Sequence, residues 1–373
     1  MNRFAHITGW GMAVPQAVLT NADLGRMVNT NDEWIVSRTG IRERHIAGKN
    51  ESTATLAAKA GLRALEATEL HPRDLDLIIV ATASPDHLFP ATACLVQDAL
   101  GAVHAGAFDL SAACSGFIFG VHMATQAIRT GAINNALVIG AETLSRLVNW
   151  KDRDTCVLFG DGAGAFVLQA RPSAGGVLSG IMRSDGSGGT LLTVPAGGSR
   201  YPASLDTVER NLHTIQMDGR KIFRFATRAM ASATREVVAK AGLTLDDIEL
   251  FVPHQANLRI IEGAARDLKL PLDRFMVNIE RYGNTSSASI PIAVCEAVEQ
   301  GRVRPGDHVA LVGFGAGLTW GALALEWVET KRPVPASRRR SLSLWTLLAR
   351  LRSAVVWVWR RIEGFFSGTS SEG

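Results

Sequence analysis

The chain has 373 residues, 47% of them hydrophobic and 20% charged, enough for a large buried core in two domains or one duplicated domain. Its net charge of +4 comes from the end of the chain: seven arginines and two glutamates from Pro333 onward leave residues 1–332 at −1, with 32 basic against 33 acidic side chains. A near-neutral body excludes general nucleic-acid binding, and four scattered cysteines exclude a disulfide framework and point to reduced thiols in the cytosol.

The N-terminus passes straight into strand-like sequence with nothing resembling a secretory signal. Asp74-Leu-Asp-Leu-Ile-Ile-Val-Ala81 reads as a buried strand after a helical stretch, and Phe108 opens another that runs into Cys114. Ser115-Gly116 then starts a long apolar helix to about Arg129, stopped by Gly131 and followed by the strand Ala136-Leu-Val-Ile-Gly140. The pattern returns: Asp247-Ile-Glu-Leu-Phe-Val-Pro-His254 mirrors the first strand, and Val309-Ala-Leu-Val-Gly313 mirrors Ala136–Gly140, both 173 residues on. A shared offset at two separated places predicts a duplicated α/β fold with buried strands, its halves at 1–172 and 173–332, followed by a tail at 333–373.

Three Gly-rich stretches, at 159–165, 184–189 and 313–321, lack the Lys-Ser/Thr of a phosphate loop and the setting of a dinucleotide fingerprint. They read as tight turns and close packing. No His/Cys/Asp cluster has metal-ligand spacing.

Three segments carry chemistry. Cys114 lies between a strand and a helix, where the helix dipole and free amide N–H groups favour a thiolate. His254 follows a strand, and Asn284 lies between Gly283 and Thr285. Alone, these read as a small buried thiol, a satisfied strand-end histidine and a turn asparagine. Together a thiol, an imidazole and a carboxamide point to covalent acyl chemistry on cysteine.

Over residues 3–328 the sequence resembles the beta-ketoacyl-acyl-carrier-protein synthase III family, initiating condensing enzymes of bacterial fatty acid synthesis with the thiolase fold. The resemblance rests on Asn31-Asp-Glu-Trp34-Ile-Val-Ser-Arg38-Thr-Gly-Ile-Arg42, Ala-Ala-Cys114-Ser-Gly-Phe, the 159–165 stretch, His254-Gln-Ala-Asn257-Leu-Arg259, Gly283-Asn284-Thr-Ser-Ser-Ala-Ser-Ile-Pro and Gly-Phe314-Gly-Ala316-Gly. It implies Cys114 as acylated nucleophile, with His254 and Asn284 completing the triad. The N–H groups of Cys114 and Ala316 would form the oxyanion hole, with Ala316 standing where many members have glycine. Trp34 and Arg153 would sandwich the adenine of coenzyme A, with Thr30, Arg38 and Asn257 lining the same entrance. Gln255, Ala256, Asn257, Leu258 and Arg259 would meet the acyl carrier protein, and Arg220, Lys221, Arg224 and Arg266 would add basic charge nearby. The resemblance also implies acyl-coenzyme A and malonyl-carrier protein as substrates, no metal or organic cofactor, and a homodimer. Two other readings stand beside it: a sister condensing enzyme of secondary metabolism, and a retired carrier-protein-binding scaffold.

The tail departs from the family. After Pro335, residues 341–366 form an amphipathic pattern, with Leu344, Leu347, Leu348, Leu351, Val355, Val358, Trp359, Ile362 and Phe366 on one face. Arg350, Arg352, Arg360 and Arg361 take the other arc, interrupted by Trp345, Val356 and Trp357. Arginines break the apolar run well short of the roughly 20 residues a bilayer span needs. The pattern suits a helix lying on the inner membrane surface, on a Pro-containing linker that leaves it free of the core; the other reading docks it on the enzyme or a partner.

Overall fold

The computed structural model describes residues 2–328 and 334–367. Linker residues 331–333 and the side chains of Arg350, Ile362 and Phe366 lie outside the described part.

One five-stranded sheet holds β1 (Phe4–Ala13), β2 (Leu77–Ala81), β3 (Gly106–Leu110), β4 (Asn135–Thr143) and β5 (Asp161–Arg171), in the order β1-β5-β4-β2-β3. A four-stranded sheet holds β6 (Gly176–Ser184), β7 (Leu250–Pro253), β8 (His308–Gly315) and β9 (Thr319–Glu326), in the order β6-β9-β8-β7. The second order repeats the first, with matching parallel and antiparallel pairings and only the fifth strand missing. Even the register repeats: Leu77 pairs with Ala136, and Leu250 pairs with Val309, each member moved by the same 173 residues. The offset read from the strands is therefore a repeat of hydrogen-bonded geometry.

The helices that matter for the site are α1 (Asp32–Thr39), α2 (Thr53–Glu66), α3 (Thr92–Leu100), α4 (Gly116–Thr130), α5 (Gly219–Lys240), α6 (Leu258–Leu268), α7 (Ser289–Glu299) and α8 (Ala336–Ser367). Helices α4 and α7 lie between the sheets, and their first residues are again 173 apart. Phe117, Ile118 and Val121 of α4 and Ile290 and Val294 of α7 pack with Val138, Phe166, Val252 and Leu311 of the two sheets in one buried cluster. Helices α2 and α3 cover the outer face of the first sheet, α5 and α6 that of the second. On β2, Ile79 faces the central layer while Ile78 and Val80 face the outer one. Both faces being dry, the strand reads as an unbroken apolar run instead of alternating.

The central helices crowd the sheets. A Cβ on Gly140 of β4 would lie 2.2 Å from the Ser287 carbonyl oxygen in the turn leading to α7. In the 159–165 stretch a Cβ on Gly160 would lie 2.2 Å from the Tyr282 carbonyl oxygen, so that glycine serves the close backbone packing the sequence reading expected.

Helix α8 does not swing free along its whole length. Trp345, which interrupts the arginine arc, is an anchor: its indole N–H donates to the Leu100 carbonyl at 3.1 Å, its ring meets His71 edge-on at 4.4 Å, and Arg73 stacks over it at 4.5 Å. Arg338 donates to the Leu70 carbonyl at 2.7 Å, and Leu342 and Ala349 are buried on the same side. The first half of the helix is docked on the body at α3 and the segment after α2, which corrects the expectation of a freely hinged tail.

Gly140→Ala should destabilise the protein by about 1–3 kcal/mol, since the clash is with backbone that cannot rotate away. Thermal unfolding of the variant checks this, and an unchanged Tm would mean that the two halves are not packed as closely as described.

Candidate active site

Cys114 sits in a short turn before α4, buried, with the backbone of Ala113 at φ +47°. Ser286, 173 residues later, has φ +49° in the matching turn before α7. A non-glycine residue in this region costs of order 1–3 kcal/mol, so both turns are held by their surroundings. Part of the hold on Cys114 comes from β8: a Cβ on Gly315 would lie 2.6 Å from the Cys114 nitrogen. Glycine there lets the 315–317 strand end lie against the nucleophile turn, which places Ala316 beside Cys114 on a shared cavity of about 430 Å³.

A second cavity of about 120 Å³ brings Cys114, His254 and Asn284 together, with Phe223, Asn257 and Phe314 on its walls. The three chemistry-bearing residues thus converge on one space, although 140 and 30 residues separate them in order along the chain.

His254 extends from the end of β7 with its ring edge-on to Phe314 at 5.2 Å. Burial alone pushes its pKa down to about 3, so the imidazole is neutral near pH 7. Nδ1 lies 2.6 Å from the Ser289 hydroxyl, whose oxygen also accepts the Gln255 N–H at 3.4 Å. The hydroxyl can donate its proton to Nδ1, and in that tautomer the ring proton is on Nε2. Nε2 is buried without a hydrogen-bond partner and, in that tautomer, is a free donor on the cavity.

Asn284 is fixed through both backbone and side chain. Its N–H donates to Leu158 and its carbonyl accepts from Gly160, joining the second half to the first. Its Oδ1 accepts the Ser286 N–H at 2.8 Å, which leaves the Nδ2 hydrogens as the groups it can offer the cavity. The loop before it is braced by Glu296 of α7, which accepts two hydrogen bonds from Arg281 and one each from Tyr282 and Asn278.

Burial pushes the Cys114 thiol up to about 12, opposed by a hydrogen bond from Ser286 and by its own backbone N–H, and reinforced by Glu142. The expected stabilised thiolate is therefore offset by desolvation, and the resting group is a thiol. Glu142, unnoticed in the sequence, is buried behind the nucleophile and accepts from the Ala83 N–H and from Ser84 and Ser287 hydroxyls across the two halves. Burial raises its pKa as well. Glu142 and Ser289 carried no sequence signal beyond their positions, at the end of a strand and at the start of a helix.

At the entrance, Trp34 on α1 lies between two guanidiniums, Arg38 at 4.4 Å and Arg153 at 4.6 Å from its ring centre. Asn257 caps α6 through the Arg259 N–H and donates to the Arg38 carbonyl at 2.9 Å, and Thr30 carries a buried hydroxyl with no partner. Gln255 requires a correction. Its side chain is buried and spent on Pro253, Met276 and Asn278 backbone groups, so it braces the strand end and offers nothing to a docking protein. Ala256, Asn257 and Leu258 are partly buried and Arg259 is exposed. Among the described residues, no group of acidic, histidine or cysteine side chains could hold a metal ion, and no helix is long and apolar enough to cross a membrane.

Fold and site define a thiolase-like enzyme with a cysteine, a histidine and an asparagine on one buried cavity. Family models match on both sides of the duplication: 3-oxoacyl-[acyl-carrier-protein] synthase III over residues 108–186 and its C-terminal domain over 238–327. A beta-ketoacyl-[acyl-carrier-protein] synthase III of Caldanaerobacter subterraneus subsp. tengcongensis is 54% identical over 87% of this chain and 98% of its own. One of Symbiobacterium thermophilum is 58% identical over 86% of this chain and 97% of its own. The crystal structure of the Aquifex aeolicus 3-oxoacyl-[acyl-carrier-protein] synthase III superposes with a TM-score of 0.80 at 46% identity, covering 86% of this chain and 99% of that one. The chain belongs to the beta-ketoacyl-[acyl-carrier-protein] synthase III family, condensing enzymes of the acyltransferase type. Relatives matched over nearly their full length leave more than a tenth of this chain over, which agrees with an appended tail. Neither the sister condensing reading nor the retired scaffold is favoured.

A histidine kept neutral by burial makes stability pH-dependent. Its unfolded form gains a proton below about 6.5 while the folded form does not until about 3. That group's contribution is complete above 6.5 and is lost as pH falls toward 3, at about 1.4 kcal/mol per unit. Wild type should therefore lose more Tm between pH 7 and 5 than His254→Gln. Parallel losses would show that His254 is not held neutral.

Proposed function

We propose that this protein catalyses the initiating condensation of fatty acid synthesis, joining an acyl primer from acyl-coenzyme A to malonyl-carrier protein. The observation that carries the reading is the buried, neutral His254, whose partnerless Nε2 lines one cavity with Cys114 and Asn284.

The Cys114 sulfur attacks the thioester carbonyl of acyl-coenzyme A, and the backbone N–H groups of Cys114 and Ala316 hold the developing oxyanion. The bond to coenzyme A breaks, and the thiol proton leaves on the coenzyme A sulfur. Malonyl-carrier protein follows. Its carboxylate departs as CO2, and the electron pair of the broken C–C bond becomes an enolate. The enolate oxygen needs donors that are not acids, which a neutral imidazole Nε2–H and a carboxamide N–H supply. The carbanion attacks acyl-Cys114, giving 3-oxoacyl-carrier protein, and Cys114 regains a proton from solvent. Loss of CO2 drives the step forward, so no metal or organic cofactor is needed.

In this reading Trp34 and Arg153, stacked on each other, part to admit adenine, while Thr30, Arg38 and Asn257 line the entrance. Arg259, with exposed Arg220, Lys221, Arg224 and Arg266, meets the acidic carrier protein. A homodimer forms at the unpaired edge of β3, where Phe108, Leu88 and Phe89 lie exposed. The halves at 1–172 and 173–332 act as one unit in the cytoplasm, with residues 341–366 contacting the membrane surface.

His254→Ala and Asn284→Ala should lower malonyl decarboxylation about 100- to 1000-fold, with a smaller effect on acylation of Cys114. Mass spectrometry of the acyl-enzyme beside release of labelled CO2 separates the two steps; equal losses in both would overturn the division of roles. Cys114→Gln should retain decarboxylation and lose condensation. For Arg259→Glu the expected result is a raised KM for malonyl-carrier protein with acylation by acyl-coenzyme A unchanged, and steady-state kinetics with each substrate varied will show whether that contact exists.

A further inference from the structure

Helix α8 has two working faces, and the body occupies only one. Arg338, Leu342, Trp345, Ala349 and Ser353 recur every three or four residues along the arc that touches α3 and the segment after α2. Leu344, Leu347, Leu348, Leu351, Val355 and Val358 form a second stripe, roughly a third of a turn away. Each stripe residue is between 48% and 68% exposed, so the most apolar arc of the helix is the one left uncovered. Ser353 makes the last described hydrogen bond to the body, and the helix runs on to Ser367 with Trp357 and Trp359 both exposed.

Charge decides what this stripe fits. Arg361 borders one side and Arg352 the other, Arg340 continues the stripe's own arc one turn before Leu344, and Glu363 is the one acidic residue of the helix and accepts from the Trp359 indole at 2.6 Å. Arg361 in turn lies over the Trp357 ring at 5.0 Å. A second copy facing this stripe would set arginines against arginines with almost no carboxylate between them. An anionic lipid surface takes leucine and valine into the acyl boundary, tryptophan at headgroup level and arginine on the phosphates.

We propose that α8 is a membrane-docking splint: its Trp345 arc stays bound to the body while the Leu344–Val358 stripe enters an anionic lipid surface, which holds the enzyme in a set orientation. This deepens the membrane reading of the tail and rests on it. The splint needs no change in the catalytic cavities.

The test is flotation of the full-length protein with phosphatidylcholine vesicles, with and without phosphatidylglycerol, at low and high salt. Wild type should bind the phosphatidylglycerol vesicles, and added salt should weaken binding, each arginine near the surface being worth about fivefold. Leu351→Glu with Val355→Glu should bind at least about tenfold more weakly and keep its condensing rate in vesicle-free solution. Hydrogen exchange over residues 342–353 should stay slow when vesicles are bound, and Trp345→Ala should speed it while leaving flotation intact. Equal binding by wild type and the double variant, or binding indifferent to phosphatidylglycerol, overturns the proposal. A drop in oligomeric mass in the double variant assigns the stripe to a second copy instead, and rapid exchange at 342–353 on vesicles overturns the splint. Acylation of Cys114 in the same samples reports on the condensing reaction separately: a protein that floats but does not condense sinks only that reaction.

Discussion

The pair of helices buried between two sheets is the constraint on which the rest of the molecule depends. Helices α4 and α7 begin 173 residues apart, each entered through a turn with one left-handed residue, Ala113 or Ser286. Their starts bring the two halves' polar turns together in the middle layer, where packing on both sides leaves neither helix room to shift. Cys114 precedes one helix, while Ser289, which orients His254, begins the other. Duplication thus brings Cys114 from one half and His254 and Asn284 from the other to one cavity.

A dry centre sets the chemistry. Desolvation holds His254 neutral and Cys114 as a thiol, and it makes every hydrogen bond in the cavity count for more than it would in water. Polar groups buried here therefore have to be matched. Glu142 is surrounded by hydroxyl and amide donors, Asn284 has its oxygen taken by Ser286, and Gln255 is committed to backbone groups. Against that background His254 Nε2, on the cavity wall, and the Thr285 hydroxyl are buried without a hydrogen-bond partner.

The tail obeys a different logic. None of its described residues lines the two cavities at Cys114, and relatives are matched over nearly their full length without it. The centre of its docked arc is the Trp345 indole, seated where a Cβ on Gly101 would come within 2.7 Å of the Trp345 nitrogen, and glycine there opens the seat. The helix is fixed by one arc and apolar on another that the body leaves exposed.

Much of the architecture was legible in the chain, because buried strands and central helices each have a short, local signature. Apolar runs marked the strands, glycines marked the helix ends, and the repeated spacing exposed the duplication. Cys114, His254 and Asn284 could be singled out by residue type and neighbours, and the structure brings them to one cavity. What tertiary structure alone decided were matters of burial and facing. Gln255 follows His254 in sequence yet turns inward, Ser289 reaches the imidazole from 35 residues away, and Glu142, from the end of β4, adds to the upward shift of the Cys114 thiol. The direction of the Cys114 pKa followed from desolvation, which local sequence does not encode. On the helical wheel Trp345 interrupted the polar arc, and only the surface beside Leu100 made it the anchor. Sequence determines which arcs and strands a chain can offer; which of them are covered depends on what the fold brings alongside.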